Sequence, residues 1–106
     1  MNLPAILTRY FAAANRFDAD EAAECFTVDA LVHDEAHDHS GREAIRAWVA
    51  ETSQKYQSQV QVTAADSLGG TTQVTATVSG GFPGSPIELH FGFTIVDGKI
   101  SQLHIQ

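Results

Sequence analysis

Alternation at every second residue runs through the C-terminal half of the chain and limits what it can fold into. Val60, Val62 and Ala64 alternate with Gln61 and Thr63, and Val74, Ala76 and Val78 alternate with Thr75, Thr77 and Ser79. Leu89, Phe91, Phe93 and Ile95 alternate with Glu88, His90, Gly92 and Thr94. A period of two places each apolar set on one face of a β-strand. Gly69-Gly70 and Asp97-Gly98 separate these runs, and both are hairpin signals, the second the stronger. Lys99 to Gln106 then closes the sheet with Leu103 and Ile105 inward. Between Gly80 and Pro86 a Gly- and Pro-rich stretch predicts a longer loop.

The N-terminal half has a different period. Leu3, Ile6, Leu7, Tyr10, Phe11 and Ala14 share one helical face, with Asn2 placed to cap and Pro4 tolerated in the first turn. A second helix is expected from Asp18, with Glu21 three residues on and Ala19, Ala22, Ala23 and Phe26 as its inner stripe. Thr27 to Asp34 reads as a strand centred on Leu31 and Val32, and Glu35 to Ser40 as a polar loop. Ser40 with Glu43 predicts a capping box opening a third helix. That helix buries Ile45, Trp48, Val49, Thr52 and Tyr56, while Glu51 and Lys55 are spaced to pair. The order is helix, helix, strand, helix, then four antiparallel strands. The fold class is α+β, one domain over 1–106, a sheet wrapped around segregated helices.

Composition narrows the function. The chain has 106 residues, 43% of them hydrophobic, which excludes disorder and permits one real core. No run reaches the ~18 apolar residues of a membrane helix. The first residues lack a basic segment before an apolar one, so no secretory signal is expected. A net charge of −7 argues against nucleic acid or an anionic membrane as partner. Residues 1–53 hold ten acids and four bases, whereas residues 54–106 hold three and two, so the strand half is almost uncharged. Cys25 is the only cysteine, which excludes an intrachain disulfide and makes the cytoplasm the expected setting.

Three stretches carry a family resemblance. Asp29-Ala30-Leu31-Val32-His33-Asp34, Gly41-Arg42-Glu43-Ala44-Ile45 and Phe93-Thr94-Ile95-Val96-Asp97-Gly98-Lys99-Ile100 occur in this order across nearly the whole chain. The sequence resembles the nuclear transport factor 2-like superfamily, in its SnoaL-like and ketosteroid-isomerase-like branch. The resemblance implies a cone, with a curved sheet closing over three helices around a deep pocket. It also implies roles. Arg9-Tyr10 matches the Arg-Tyr whose tyrosine donates to an enolate oxygen in ketosteroid isomerases. Val32-His33-Asp34-Glu35 matches the run carrying their general-base Asp. A further catalytic Asp of those enzymes and of SnoaL-like cyclases falls on Phe91, so that acid is missing and different chemistry is expected.

The pocket is expected to be lined by Tyr10, Val32, Asp34, Trp48, Val62, Val74, Ala76, Leu89, Phe91, Phe93 and Leu103. An apolar concavity with a few converging polar groups suits a compact hydrophobic molecule. Burial would raise the Asp34 pKa and fit it for general acid or base work, with Tyr10 stabilising an oxyanion. The alternative is a cone that binds without turnover, or serves chiefly as a dimerisation module. His33, Asp34, Glu35, His37, Asp38 and His39 form a dense polar cluster, but alternation sends His33 and Asp34 to opposite faces. A solvated loop is expected there rather than a metal site. Cys25, in an Ala-rich segment without His or Lys beside it, reads as a small buried residue. No phosphate loop, dinucleotide fingerprint or Ser-His-Asp order is present, and no cofactor is expected.

The outward strand positions are Gln61, Thr63, Gln73, Thr75, Thr77, Ser79, Glu88, His90, Gly92, Thr94, Gln102 and His104. Glu88 alone among them carries a charge when His is neutral. Charge depletion marks interface cores, so a homodimer through the convex sheet face is expected, with His90 or His104 able to meet a symmetry mate or Glu88.

Overall fold

A computed structural model describes residues 3–106. The alternating stretches form β3 (Gln59–Leu68), β4 (Thr71–Ser79), β5 (Ile87–Val96) and β6 (Lys99–Ile105). They are consecutive antiparallel neighbours. The expected first strand is β1 (Phe26–Asp34), and the helices are α1 (Ala5–Asn15), α2 (Ala19–Glu24) and α3 (Arg42–Tyr56). Together they make an α+β cone, a curved, unclosed sheet with helices against its inner face.

The sheet is mixed rather than purely antiparallel. Its strand order is β2-β1-β6-β5-β4-β3, and β1 runs parallel to β6, with Val32 opposite Leu103 and His33 opposite His104. The polar stretch expected to be a loop contains β2 (His37–Ser40), which pairs back on β1. Glu35 and Ala36 form the connecting turn, both at positive φ (52° and 63°). That is the I′ pattern, normally written with Asn or Gly, so the composition conceals it. β2 is a sheet edge, exposed along most of its length, which is why it has no apolar alternation to read.

Three further expectations fail for local reasons. The N-cap of α3 is Gly41 (φ 90°), not Ser40, and it makes no side-chain cap bond. Ser40 is held in β2 opposite Leu31, and Glu43 pairs with Arg46 instead. In β3 the register shifts between Val62 and Ala64. Ala65 therefore stands opposite Val74 on the inner side, while Ala64 turns outward opposite Thr75, and Asp66 joins the outer face opposite Gln73. A bulge of this kind inserts one residue and inverts the alternation beyond it. The spacing of Glu51 and Lys55 is not used as an ion pair among the described contacts, and the Lys55 ammonium lies 5.0 Å from the Tyr56 ring centre.

The helices are fixed more as expected, except that α2 ends at Glu24 and Phe26 opens β1 instead of joining its stripe. Asp18 caps α2 by accepting from the Glu21 N–H at 3.1 Å. Glu21 turns its carboxylate to Arg9 in a two-point pair of 2.8 and 2.9 Å that ties α1 to α2. The expected cap at Asn2 lies outside the described residues. Cys25 is buried, and its thiol, pushed up chiefly by that burial, donates to the Glu21 carbonyl at 3.5 Å.

Aromatic rings fill the narrow end of the cone. Tyr10 meets Phe11, Phe26 and Phe93 edge-on at 5.2–5.9 Å, and Phe11 meets Phe91 and Phe93 edge-on at 5.6 and 5.7 Å. Phe91 and Phe93 stack at 6.2 Å. Such geometries add to area burial, because ring edges are positive and faces negative. Phe93 is fully buried. Phe93→Ala is therefore expected to lower the unfolding free energy by ~3–5 kcal/mol, read by urea unfolding. Val28→Ala, at 73% exposure, should stay within ~0.5 kcal/mol of the parent.

Candidate active site

Above the aromatic plug the cone stays open. A cavity of about 690 Å³ lies between the C-terminal parts of α1 and α3, the β1–β2 turn, the 80–86 loop and the inner face of the sheet. α1 contributes Tyr10, Ala14 and Asn15, and α3 contributes Trp48, Val49, Thr52, Ser53 and Tyr56. Asp34, Glu35 and Ala36 stand at the rim, with Phe82, Pro83 and Ile87 across from them. Val60, Val78, Leu89, Phe91 and Ile105 form the sheet wall.

Of the residues expected to line a pocket, Tyr10, Asp34, Trp48, Leu89 and Phe91 border this cavity. Val32, Val74, Ala76, Phe93 and Leu103 do not. Each is at most 1% exposed, packed in the solid core below it. Val62, half-buried, also lies off the cavity wall. Inward alternation says which face a residue takes, but the aromatic plug decides which inward positions still see open space. Asn15, Phe82 and Ile105 are not legible as lining, whereas Tyr56, which the sequence places in the core or the pocket wall, does border the cavity. Asn15 is fixed by a two-way bond to the Val60 backbone, donating at 3.0 Å and accepting at 2.8 Å.

The 80–86 loop reaches the rim because its base is stapled to α3. The Gly81 N–H donates to the Tyr56 carbonyl at 2.8 Å. At Gly80 a Cβ would come within 2.7 Å of that same oxygen, so no larger residue fits. Phe82 then lies edge-on to Tyr56 at 5.8 Å. A Gly-Gly-Phe in the sequence hints at such a contact, but its partner is known only from the fold.

Asp34 sits where β1 ends. The strand alternation turns His33 outward, where it stacks on His104 at 4.7 Å and bonds Asp38 at 2.6 Å. Asp34 turns inward and accepts from the Trp48 indole N–H at 3.1 Å. Burial raises its pKa above the ordinary 3.8, while the Trp48 bond opposes the shift and the neighbouring Glu35 charge adds to it. Tyr10 is 4% exposed, and burial pushes its hydroxyl well above the usual phenol range, with the Asp34 charge a second cause. Among the described residues that hydroxyl has no hydrogen-bond partner. Glu35 accepts from the Tyr56 hydroxyl at 3.1 Å. Phe91 leaves the sheet wall apolar where the resemblance places an acid. The carboxylates at this site are therefore the neighbours Asp34 and Glu35.

The family model for the SnoaL-like domain matches residues 7–103. The chain belongs to the SnoaL-like family. A protein of Sinorhizobium meliloti provisionally designated a polyketide cyclase is 39% identical to this SnoaL-like chain. The match covers 98% of this chain and 95% of that one, with a TM-score of 0.95. A Catenulispora acidiphila protein with a ketosteroid-isomerase-like fold, solved in complex with trimethylamine, is 22% identical, with a TM-score of 0.88 over 99% and 86% of the chains. The epoxide hydrolase/cyclase-like enzyme SalBIII, described in pyran ring formation in salinomycin, is 22% identical, with a TM-score of 0.82 over 94% and 85%. These last two share the fold. Curated proteins yield no match. No helix among the described residues is long and apolar enough to cross a membrane.

Asp34 offers a test of burial as the cause of its shift. A carboxyl whose folded-state pKa is raised contributes stability only below its unfolded value, and that contribution is lost as pH rises through the folded value. Asp34→Asn keeps an oxygen for Trp48 and removes the buried charge. Its melting temperature at pH 7 is expected to equal or exceed the parent's by a few degrees, with the advantage vanishing below about pH 3.8. A variant less stable at pH 7 would show Asp34 to be a structural anchor.

Proposed function

We propose that the cavity holds a compact hydrophobic molecule bearing a carbonyl, and that Asp34 moves a proton on it as general base and acid. Tyr10 donates to the oxygen on which negative charge develops. The observation carrying this reading is that a half-buried carboxylate, steadied by an indole N–H, and a tyrosine whose hydroxyl has no protein partner among the described residues border one cavity. A raised carboxyl pKa brings a general base nearer the working pH. A donor aimed at a developing oxyanion in a dry site lowers the barrier more than one in water. Membership of a family with cyclase- and isomerase-type relatives supports an isomerase- or cyclase-like step. The unpaired Cys25 suits a cytoplasmic setting for it.

A second reading, a cone that binds its ligand without turnover, is favoured by one residue. Phe91 supplies no acid where two-acid chemistry would need one. Exchange of the α-protons of small cyclic ketones in D2O, followed by NMR, separates the readings without knowledge of the natural substrate. Exchange above the buffer rate is expected, falling ~10²–10⁴-fold in Asp34→Asn and ~10²–10³-fold in Tyr10→Phe, with ketone affinity little changed. No exchange with any ketone, or a rate indifferent to Asp34, would favour the binding module.

We also propose that the outer sheet face joins two copies of the chain. Asp66 and Glu88 are the acids added to an otherwise Thr- and Gln-rich surface. Leu31 (37% exposed) and Leu68 (88%) bring apolar area to it. His104 already stacks on His33 of its own chain, and His90 sits 3.6 Å from its own Glu88. Light scattering at micromolar concentration and neutral pH is expected to give twice the 11.4 kDa chain mass. Thr94→Arg on this face should return the monomer.

A further inference from the structure

Asp34 and Glu35 are consecutive, yet both border the cavity, because the left-handed turn at Glu35 and Ala36 folds the chain back along its rim. Each acid is held by a ring that also walls the cavity, Asp34 by Trp48 and Glu35 by Tyr56. Phe82 packs edge-on against Tyr56. Among the described residues bordering the cavity there is no Lys, Arg or His. Lys55 lies over the Tyr56 ring, off the cavity wall.

The deep end adds an independent sign. Tyr10 is 4% exposed and borders the cavity, and among the described residues its hydroxyl has no partner. On the cavity wall that hydroxyl is free to donate to an oxygen acceptor on a bound molecule. At the rim, an ammonium would be drawn both to the carboxylates and to the electron-rich ring faces. A carboxylate ligand would meet two like charges and no Lys, Arg or His on the wall itself.

We infer that the cavity takes compact apolar amines, with the ammonium at the rim among Asp34, Glu35, Tyr56 and Phe82 and an oxygen acceptor reaching Tyr10. This rests on reading the cavity as a small-molecule site and names the charge of its ligand. The test compares three probes by NMR titration at low salt: benzyltrimethylammonium, its neutral carbon isostere neopentylbenzene, and phenylacetate. The cation is expected to bind about tenfold or more tighter than the isostere, with shifts at Trp48, Tyr56 and Phe82, and phenylacetate not to bind. Glu35→Gln keeps an acceptor for Tyr56. It should remove most of the cation's advantage and leave neopentylbenzene within about twofold. Equal binding of the cation and its isostere would overturn the inference while leaving the apolar small-molecule site standing. Failure of all three probes to bind would overturn both. A cation preference untouched by Glu35→Gln, or shifts outside this rim, would overturn the assignment.

Discussion

The edge-on contact of Tyr10 and Phe11 with Phe91 and Phe93 determines where this cone is solid and where it is hollow. α1 can lie against β5 only at the height these rings allow. Beside them Val32, Val74, Ala76 and Leu103 pack into the core with at most 1% exposure. Above them the helices and the curved sheet diverge, and the next residues along each element, Ala14, Leu89 and Ile105, face a void. Tyr10 belongs to both regions. Its ring is part of the plug, while its hydroxyl has no protein partner, a division that aromatic residues with one polar atom are suited to.

The acids at the rim follow from backbone rather than from packing. β1 brings Asp34 to the inner face simply because Val32 is there two residues earlier. Glu35 reaches the same rim only because the chain reverses immediately in a turn of two non-glycine residues at positive φ. Non-glycine residues in this conformation are uncommon and carry a modest backbone penalty. The β1–β2 pairing and the Tyr56 bond to Glu35 hold the turn in place.

What was legible in the sequence was whatever depends on a period or a dipeptide. The strand alternation, the Gly69-Gly70 and Asp97-Gly98 turns, the Asp18 cap and the opposite facing of His33 and Asp34 are all of this kind. What was not legible depends on a partner distant in sequence. The β1–β2 hairpin has no turn residues that announce it. The bulge at Thr63 inverts β3 without any glycine to mark it. Ser40 looks like a helix cap until its place in β2 is known. Lining residues are the hardest, since Ala76 and Leu89 read alike by alternation and stand opposite each other, yet Leu89 borders the cavity and Ala76 does not.

The parallel seam between β1 and β6 has a consequence for how the molecule is made. The last of the six strands in chain order lies in the interior of the sheet, joining the β2–β1 hairpin on one side to the β5–β4–β3 meander on the other. Until residues 99–105 leave the ribosome, two sheet fragments exist with facing edges unpaired, and a contact spanning most of the chain, Phe26 with Ile100, waits to form. Long-range pairing of this sort slows folding and leaves strand edges open to other chains in the interval. The nascent chain therefore resembles two halves of a clasp, and the cavity lacks part of its wall until β6 joins them.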